Sequence, residues 1–454
     1  MKMANQRVRD MTSGTPWRLL LNYMVPLMIG NLFQQVYNMV DTVVVGRFLG
    51  VDALAGAGST GSISFLVMGF CMGMCSGFAI PVAQKFGEKD FDGLRKYVGN
   101  MIWLGGIVAL VVTVATTLLC WQILIWMDNP AETIQYAYDY IFWIFLGIPF
   151  TMLYNTLAGI IRSLGDSKTP LKFLIFSSGL NIVLDIVFIV VFKMGVAGAS
   201  LATVVAQIVS GALCLWVIIR DYPILHLNRE TLKPQGQYIR RLFSMGVPMG
   251  LQFSITAIGN TILQTAVNGL GTASMAAMTA GSKVGFLFDG PLNSIGGALT
   301  TYSGQNLGAG KLDRVRRGVR SALFMGIIYA VVIFFAVCFL GKPVSLLFLE
   351  PGETEVIELC RQYLICNALF YILLLFVNCL RMTIQGLGFS GIAVIAGVLE
   401  MFARGGVGVL LVPVFGFNAV SIGSPAAWVF ANIFLIPTYL ICMRKLETSQ
   451  KGVL

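Results

Sequence analysis

The amino-acid sequence predicts an all-α membrane protein with twelve transmembrane helices, arranged as two parallel six-helix repeats around a central cavity. Of its 454 residues, 57% are hydrophobic and only 11% are charged, whereas about 25% of residues are charged in soluble proteins. Apolar runs of about 20 residues or more, long enough to cross a bilayer as a helix, recur along the whole chain. The chain also repeats itself at an offset of 221 residues.

The twelve apolar runs are expected to form one helix each, because membrane helices tolerate the glycines and prolines that they contain. The first run is too long for a signal-peptide core and no small-residue cleavage pattern follows it, so we expect it to be retained. In chain order the expected spans lie near residues 19–46, 53–80, 98–120, 136–162, 171–192, 195–219, 242–268, 272–303, 319–341, 358–380, 391–412 and 417–443.

The repeat is clearest in a polar loop, where chance similarity is much less common than between apolar stretches. The residues that recur are Gln84, Gly87, Asp92 and Arg95, repeated as Gln305, Gly308, Asp313 and Arg316. Because six spans return the chain to its starting side, the two halves are parallel repeats related by an axis along the membrane normal. We therefore expect an N-terminal lobe at residues 1–220, a polar cytoplasmic linker at residues 221–238 and a C-terminal lobe at residues 239–454.

The lysines and arginines set the expected orientation in the membrane. The segments on the side of the N-terminus hold 25 of them, and the segments on the opposite side hold four. By the positive-inside rule, both termini are cytoplasmic and the chain is a multi-pass protein of the cell inner membrane. The net charge of +10 is therefore a topology signal and does not indicate a nucleic-acid partner.

Polar side chains inside the first span form a single face. Asn31, Gln34, Asn38 and Asp41 are spaced three, four and three residues apart, which places them within an arc of about 80° on a helix. A carboxylate inside a membrane-spanning helix marks a functional site by default. The alternative is that Asp41 lies at the headgroup boundary and is simply solvated.

Two further spans carry polar side chains at a similar depth in the outer leaflet. Asn181 and Asp185 lie one turn apart on span 5, and Thr203 and Gln207 share a face of span 6. Together with Asp41, these residues offer hard oxygen ligands that suit a small cation such as Na⁺. Two nearby carboxylates in a low-dielectric setting can equally hold a proton. Either use predicts coupling to H⁺ or Na⁺, without any other cofactor.

At this point three motifs resemble those of the multidrug and toxic compound extrusion (MATE) family. They are PxxxG followed by VDxxxxGRxLG in span 1, RSxGD after span 4, and QNxGAGxxDR after span 8. The chain length, the twelve spans and the six-plus-six repeat agree with the family over essentially the whole chain. Within the family, the sequence looks closest to the branch related to the DNA-damage-inducible F proteins.

The resemblance implies which residues couple the driving ion. In that branch the cation site of the N-terminal lobe falls on Asp41, Asn181, Asp185 and Thr203, with Gln34 as a neighbour. The resemblance also implies export of amphipathic, often cationic compounds in exchange for H⁺ or Na⁺, with no enzymatic activity. We expect a monomer in the lipid bilayer whose partners are small-molecule substrates, with Asn38, Gln207 and Asp289 in the substrate cavity.

The second half departs from the other main branch of the family, which carries acidic residues on spans 7 and 10. Span 7 has no acidic residue here, and Ile262 or Leu263 stands where the repeat would place Asp41. A cation site in this lobe is therefore not expected. Span 11 instead carries Glu400 and Arg404 one turn apart, which predicts a structural ion pair.

Three other charges of the second half allow less specific expectations. Asp289 on span 8 either faces the central cavity, where it would meet a cationic substrate, or pairs with Lys283. Arg381 lies close to the end of span 10, where it is expected to face lipid headgroups.

Two prolines occupy matching places in the repeats. Pro26 in span 1 recurs as Pro248 in span 7, and both are expected to kink their helices because proline removes a backbone donor. The kink in span 1 either changes when Asp41 is neutralised or is static.

Three functions other than export fit the sequence less well. A flippase for a lipid-linked oligosaccharide is the main alternative, but it would need a cavity richer in arginine and lysine. An intramembrane enzyme would need a nucleophile–base pair or a metal motif, and the single histidine, His226, makes that a poor fit. A channel fits an internal duplication with intramembrane acids less well than alternating access does. The sequence contains no P-loop motif, so it gives no indication that ATP is used directly.

Overall fold

The computed structural model describes residues 8–127, 129–346, 349 and 352–451, and the regular secondary structure of these residues is helical. The predicted all-α fold class is therefore confirmed. The helices of the first half are α1 (Pro16–Leu49), α2 (Val51–Ser59), α3 (Gly61–Glu88), α4 (Phe91–Leu118), α5 (Cys120–Trp126), α6 (Ile134–Leu146), α7 (Ile148–Ser163), α8 (Lys168–Ile186) and α9 (Val196–Asp221). Those of the second half are α10 (Gly236–Asn268), α11 (Thr272–Gly308), α12 (Leu312–Ser345), α13 (Thr354–Leu369), α14 (Tyr371–Gly386), α15 (Ser390–Gly406), α16 (Val412–Phe415) and α17 (Phe417–Lys451).

Within the described ranges, eight helices are long and apolar enough to cross a membrane. Two bent pairs raise the number to ten if each pair is one span: α6 with α7, bent by 47°, and α13 with α14, bent by 51°. Helices α1 and α11, with 34 and 37 residues, are longer than the ~20 residues that a bilayer requires. Neither helix is among the eight to ten that are apolar enough to cross a membrane, so the count of twelve spans stays a prediction.

The chain packs into two compact units whose limits fall inside α1 and α10. Unit 1 contains the residues up to Asp10 and Pro26–Gly250, and unit 2 contains Met11–Val25 and the residues from Leu251 on. The predicted lobes, at 1–220 and 239–454, place the first turns of α1 with the first half and those of α10 with the second half. The units have the reverse assignment for both. Pro26 and Pro248 lie inside α1 and α10, close to the points where the unit changes. The predicted kinks and the linker stay predictions.

Small residues explain why the first turns of α10 belong to unit 1. A Cβ added at Gly73 or Gly77 of α3 would lie 2.5 Å from the carbonyl oxygen of Met249 or Met245. The two glycines therefore let the backbones of α3 and α10 touch, as small residues commonly do between membrane helices.

In unit 2, the QNxGAGxxDR motif after span 8 holds the segment that precedes α1. The Met11 N–H donates to Gln305 Oε1 at 2.9 Å, and Asn306 Nδ2 and Arg314 Nη2 donate to the Met11 carbonyl at 3.1 and 3.2 Å. Lys311 Nζ donates to the Thr12 carbonyl at 3.0 Å. This motif therefore has a structural role that the sequence analysis did not assign.

In unit 1, the RSLGD turn after α7 starts the next helix. Gly165 has a φ of 84°, and a Cβ there would lie 2.1 Å from the Arg9 carbonyl oxygen, so only glycine fits. Asp166 follows it and accepts from the N–H groups of Lys168 and Thr169 at 2.9 and 3.0 Å. Its second oxygen accepts from the hydroxyls of Thr169 and Tyr222, each at 2.6 Å. The aspartate therefore caps α8 and holds it against the end of α9.

We expect Asp166→Ala to lower the free energy of unfolding by about 2–3 kcal/mol, because it removes a helix cap and the hydrogen bond that the buried Tyr222 hydroxyl donates to Asp166. The thermal unfolding midpoint of the purified protein in detergent measures this. Asp92→Ala is the matched control, since the Asp92 side chain is 81% exposed, and it should unfold like the wild type. Equal midpoints for both variants would contradict the capping role.

Candidate cation site

Helices α8 and α9 present an amide, a carboxylate and a hydroxyl at one place in unit 1. Asn181 and Asp185 lie one turn apart on α8, and Asn181 Nδ2 donates to Thr203 Oγ1 of α9 at 3.3 Å. Just beyond Asp185, α8 passes into a π-helical turn at Val187–Val191. Such turns occur frequently at functional sites, because they change the direction in which neighbouring side chains project.

Asp185 is completely buried, with 0% of its surface exposed, and neither of its carboxylate oxygens has a hydrogen-bond partner among the described residues. The Oδ1 atom of the buried Asn181 also has none. An ionised carboxylate in such surroundings is destabilising by several kcal/mol unless a cation compensates it. These three oxygens are therefore available to a proton or a small cation.

Asp41 of α1 is the second carboxylate of the site. Tyr140 Oη, from α6, donates to Asp41 Oδ2 at 3.4 Å, while Asp41 Oδ1 is buried without a hydrogen-bond partner. Asp41 and Asp185 are close enough to interact electrostatically. Neither carboxylate forms an ion pair with a lysine or arginine of the described chain. The structure thus brings together the two acidic side chains that the sequence placed at one depth.

Two tyrosines complete the site and were not found from the sequence. Tyr37 forms a side-chain hydrogen bond with Gln34 and interacts electrostatically with Asp41 and Asp185. Its position one turn before Asp41 on the same helix could have been used to predict its place at the site. Tyr140 gave no such signal, because only the packing of α6 brings it to Asp41. Gln34 therefore neighbours the site through Tyr37.

A small pocket lies beside the site between α1, α8 and α9. Its lining residues are Tyr37, Leu174, Ser177, Ser178, Asn181, Thr203, Ala206 and Gln207. Of the residues predicted for a substrate cavity, Gln207 lines this pocket, whereas Asn38 is exposed and its carbonyl accepts the Thr42 hydroxyl at 2.9 Å. Asp289 belongs to unit 2.

The chemistry of the site suits a monovalent cation. No group of three or more histidine, cysteine or acidic side chains that could hold a metal ion occurs in the described residues. A Na⁺ ion would use Asp41 and Asp185 together with the neutral oxygens of Asn181 and Thr203, because carboxylate, amide and hydroxyl oxygens are hard ligands. A proton would need only the two carboxylates. The residues present fit either ion.

In unit 2, the predicted ion pair of Glu400 and Arg404 is present, but the prediction missed a third member of the group, Arg381. Arg404 Nη1 lies 3.6 Å from Glu400 Oε2, and Arg381 Nη2 of α14 forms the closer contact, with Glu400 Oε1. All three side chains are buried. The expectation that Arg381 faces lipid headgroups is wrong, because the packing of α14 against α15 directs its guanidinium to Glu400.

Asp289 has a hydrogen-bond partner that the sequence analysis did not name, and its place in a central cavity stays a prediction. The hydroxyl of Tyr371 hydrogen-bonds to its carboxylate. Lys283 is exposed, and the described residues contain no ion pair between Lys283 and Asp289. Pairing of these two charges is therefore not observed.

Comparison with known proteins gives a consistent picture. The family model described as MatE matches residues 26–187 and 248–407, once in each half of the chain. The chain is 27% identical over 447 residues to the "Probable multidrug resistance protein YoeA" of Bacillus subtilis, covering 96% of both chains. It is 22% identical over 404 residues to the "Multidrug export protein MepA" of Staphylococcus aureus, covering 87% of this chain and 88% of that protein.

Solved structures show the same fold. A crystal structure of MATE in complex with MaL6 aligns with a TM-score of 0.91 at 20% identity, over 98% of this chain and 99% of that chain. An outward-facing multidrug resistance MATE transporter aligns with a TM-score of 0.90 at 20% identity, over 97% and 98% of the two chains. The two matched segments and these structures confirm the two-repeat architecture. The narrower branch assignment stays a prediction.

Proposed function

The chain belongs to the MatE family of multidrug efflux transporters, and on that premise we propose that it is a cation-driven antiporter. It exports amphipathic, often cationic compounds while H⁺ or Na⁺ moves in the opposite direction through the site at Asp41 and Asp185. Its two repeats alternate access to a central cavity between the two sides of the inner membrane, as repeat-built secondary transporters do.

The observation that carries the proposal is the environment of Asp185. A buried carboxylate with no hydrogen-bond donor and no basic partner, next to a second carboxylate, is unfavourable as a purely structural element. It becomes favourable when a cation binds, so cation binding and release change the stability of this part of unit 1. Differential stabilisation of this kind is what allows an ion gradient to bias a conformational equilibrium.

The substrate class follows from the relatives. YoeA and MepA carry names that refer to multidrug resistance and multidrug export, and the chain shares their family over most of its length. We infer multidrug substrates for this chain, handled by a monomer whose termini are both cytoplasmic.

The flippase alternative is less well supported. A pyrophosphate-linked substrate needs free arginine or lysine side chains. The two arginines buried in unit 2, Arg381 and Arg404, already face Glu400.

Transport by the purified protein in lipid vesicles tests the proposal. With ethidium as an organic monocation, we expect movement against its concentration gradient under an opposing proton gradient, an opposing Na⁺ gradient, or both. Vesicles with neither gradient are the control and should show only leak. If no imposed gradient drives ethidium, and a fluorescent lipid-linked oligosaccharide is translocated instead, the flippase alternative is correct.

A further inference from the structure

Unit 2 contains a buried group of charged side chains whose charges do not cancel. Arg381 of α14 and Arg404 of α15 both contact Glu400 of α15, and each of the three residues has more than nine-tenths of its surface buried. Arginine side chains stay protonated in proteins, so the two guanidinium groups carry two positive charges, whereas Glu400 supplies at most one negative charge. At least one positive charge is therefore left over in the interior of this unit.

Arg404 is the arginine that Glu400 compensates less well. Arg381 Nη2 donates a hydrogen bond to Glu400 Oε1, whereas Arg404 Nη1 lies 3.6 Å from Glu400 Oε2, which is too long for a hydrogen bond. The Nε and Nη1 atoms of Arg404 and the Nε atom of Arg381 are buried and have no hydrogen-bond partner among the described residues. Because a guanidinium group has donors only, these atoms require an acceptor.

The neighbouring polar side chains do not supply this acceptor. Tyr363 of α13 interacts electrostatically with Arg404, but its hydroxyl is engaged in hydrogen bonds with two serines. The carboxylate of Asp289 on α11 hydrogen-bonds with Tyr371, and the described chain contains no ion pair between Asp289 and either arginine of the group. A buried positive charge without a counter-ion is strongly unfavourable. The group is therefore suited to an anion taken from solution.

We propose that Arg381, Glu400 and Arg404 form a binding site for one small monovalent anion, such as chloride. One negative charge balances the positive charge that Glu400 leaves over, and the anion accepts charge-assisted hydrogen bonds from the unpartnered guanidinium nitrogens. A phosphate group attached to a lipid or a sugar is a poorer occupant, because only 7% of each arginine side chain is exposed to a bulky ligand. The inference goes beyond the proposed export function and does not depend on it.

Binding of radioactive chloride to the full-length protein in detergent tests the proposal. In equilibrium dialysis with gluconate as the replacement anion at constant ionic strength, we expect saturation at about one chloride ion per chain. Arg404→Gln should lose this binding, because Arg381 and Glu400 then form a neutral pair. Arg381→Gln should lose it as well, because the pair that remains, Glu400 and Arg404, is also neutral.

Arg361→Gln is the matched control for these variants. It removes an arginine of the same unit whose side chain is 38% exposed and pairs with Glu358, so it should bind chloride as the wild type does. The double variant Asp41→Asn/Asp185→Asn should also keep the bound chloride, whether or not it transports ethidium. Loss of transport and loss of chloride binding are thus separate outcomes, which distinguishes this proposal from the proposed function.

The thermal unfolding midpoint gives a second readout. A ligand that binds only the folded protein raises the midpoint by mass action, so the wild-type midpoint should rise as chloride replaces gluconate, and that of Arg404→Gln should stay constant. The proposal is overturned if the wild type binds no chloride, or if both Arg381→Gln and Arg404→Gln fold and bind chloride like the wild type. If neither variant folds, equal wild-type midpoints in chloride and gluconate overturn it.

Discussion

Asp185→Asn is expected to reduce gradient-driven export of ethidium to the level of protein-free vesicles. Asparagine has nearly the same shape as aspartate but cannot take up and release a proton, and it binds Na⁺ more weakly because it has no charge. Asp41→Asn should have the same effect, because both carboxylates belong to the site. The initial rate of export per folded protein, under an imposed proton or Na⁺ gradient, measures this.

The loss should come without loss of folded protein. The carboxylate oxygens of Asp185 have no donor in the described structure, so replacing the acid with a neutral amide removes no hydrogen bond and relieves an unpaired charge. We therefore expect an unfolding midpoint equal to or above that of the wild type. Asp92→Asn, with an exposed carboxylate, is the matched control and should export normally. Wild-type export rates for both Asp41→Asn and Asp185→Asn would refute the assignment.

Glu400→Gln is expected to lower the free energy of unfolding by about 3–5 kcal/mol, because it leaves two buried guanidinium groups without their counter-ion. The wild-type group already carries one more positive than negative charge, since Arg381 and Arg404 share Glu400. The yield of folded protein from membranes and its unfolding midpoint should both fall. Glu358→Gln is the matched control, because Glu358 also pairs with an arginine, Arg361, but is 65% exposed. Exposed pairs contribute little, so this variant should behave like the wild type.

Rescue of Glu400→Gln should require both arginines to be replaced. Combining Glu400→Gln with Arg404→Met leaves Arg381 without a partner, so folding should recover only in part. Adding Arg381→Met removes the last unpaired charge, and the triple variant should recover most of the folded yield with export intact. A Glu400→Gln protein that is stable but no longer responds to the ion gradient would instead place Glu400 in the coupling mechanism.

The elements that depend on local spacing could be predicted from the sequence. Hydrophobic length gave the spans, and the i, i+4 spacing placed Asn181 with Asp185 and Glu400 with Arg404 on shared helix faces. The depth of Asp41 in its span placed it near Asp185. These inferences need only the geometry of a single helix and the thickness of the bilayer.

The features that depend on packing between helices could not be predicted. The packing of α6 within unit 1 brings Tyr140 to Asp41. The packing of α14 against α15 brings Arg381 to Glu400. The role of Asn306 in holding Met11 also requires two segments far apart in sequence. A single sequence contains no signal for such neighbours, since the residue types alone allow many partners.

The most direct test of the account is the movement of the ion itself. In vesicles that contain the wild-type protein and no initial ion gradient, an imposed ethidium gradient should drive H⁺ or Na⁺ in the opposite direction. A pH-sensitive dye and a Na⁺-sensitive dye in the vesicle lumen report this flux, which should be absent with Asp185→Asn. Ethidium movement by the wild-type protein without counterflow of either ion would contradict antiport through the site at Asp41 and Asp185.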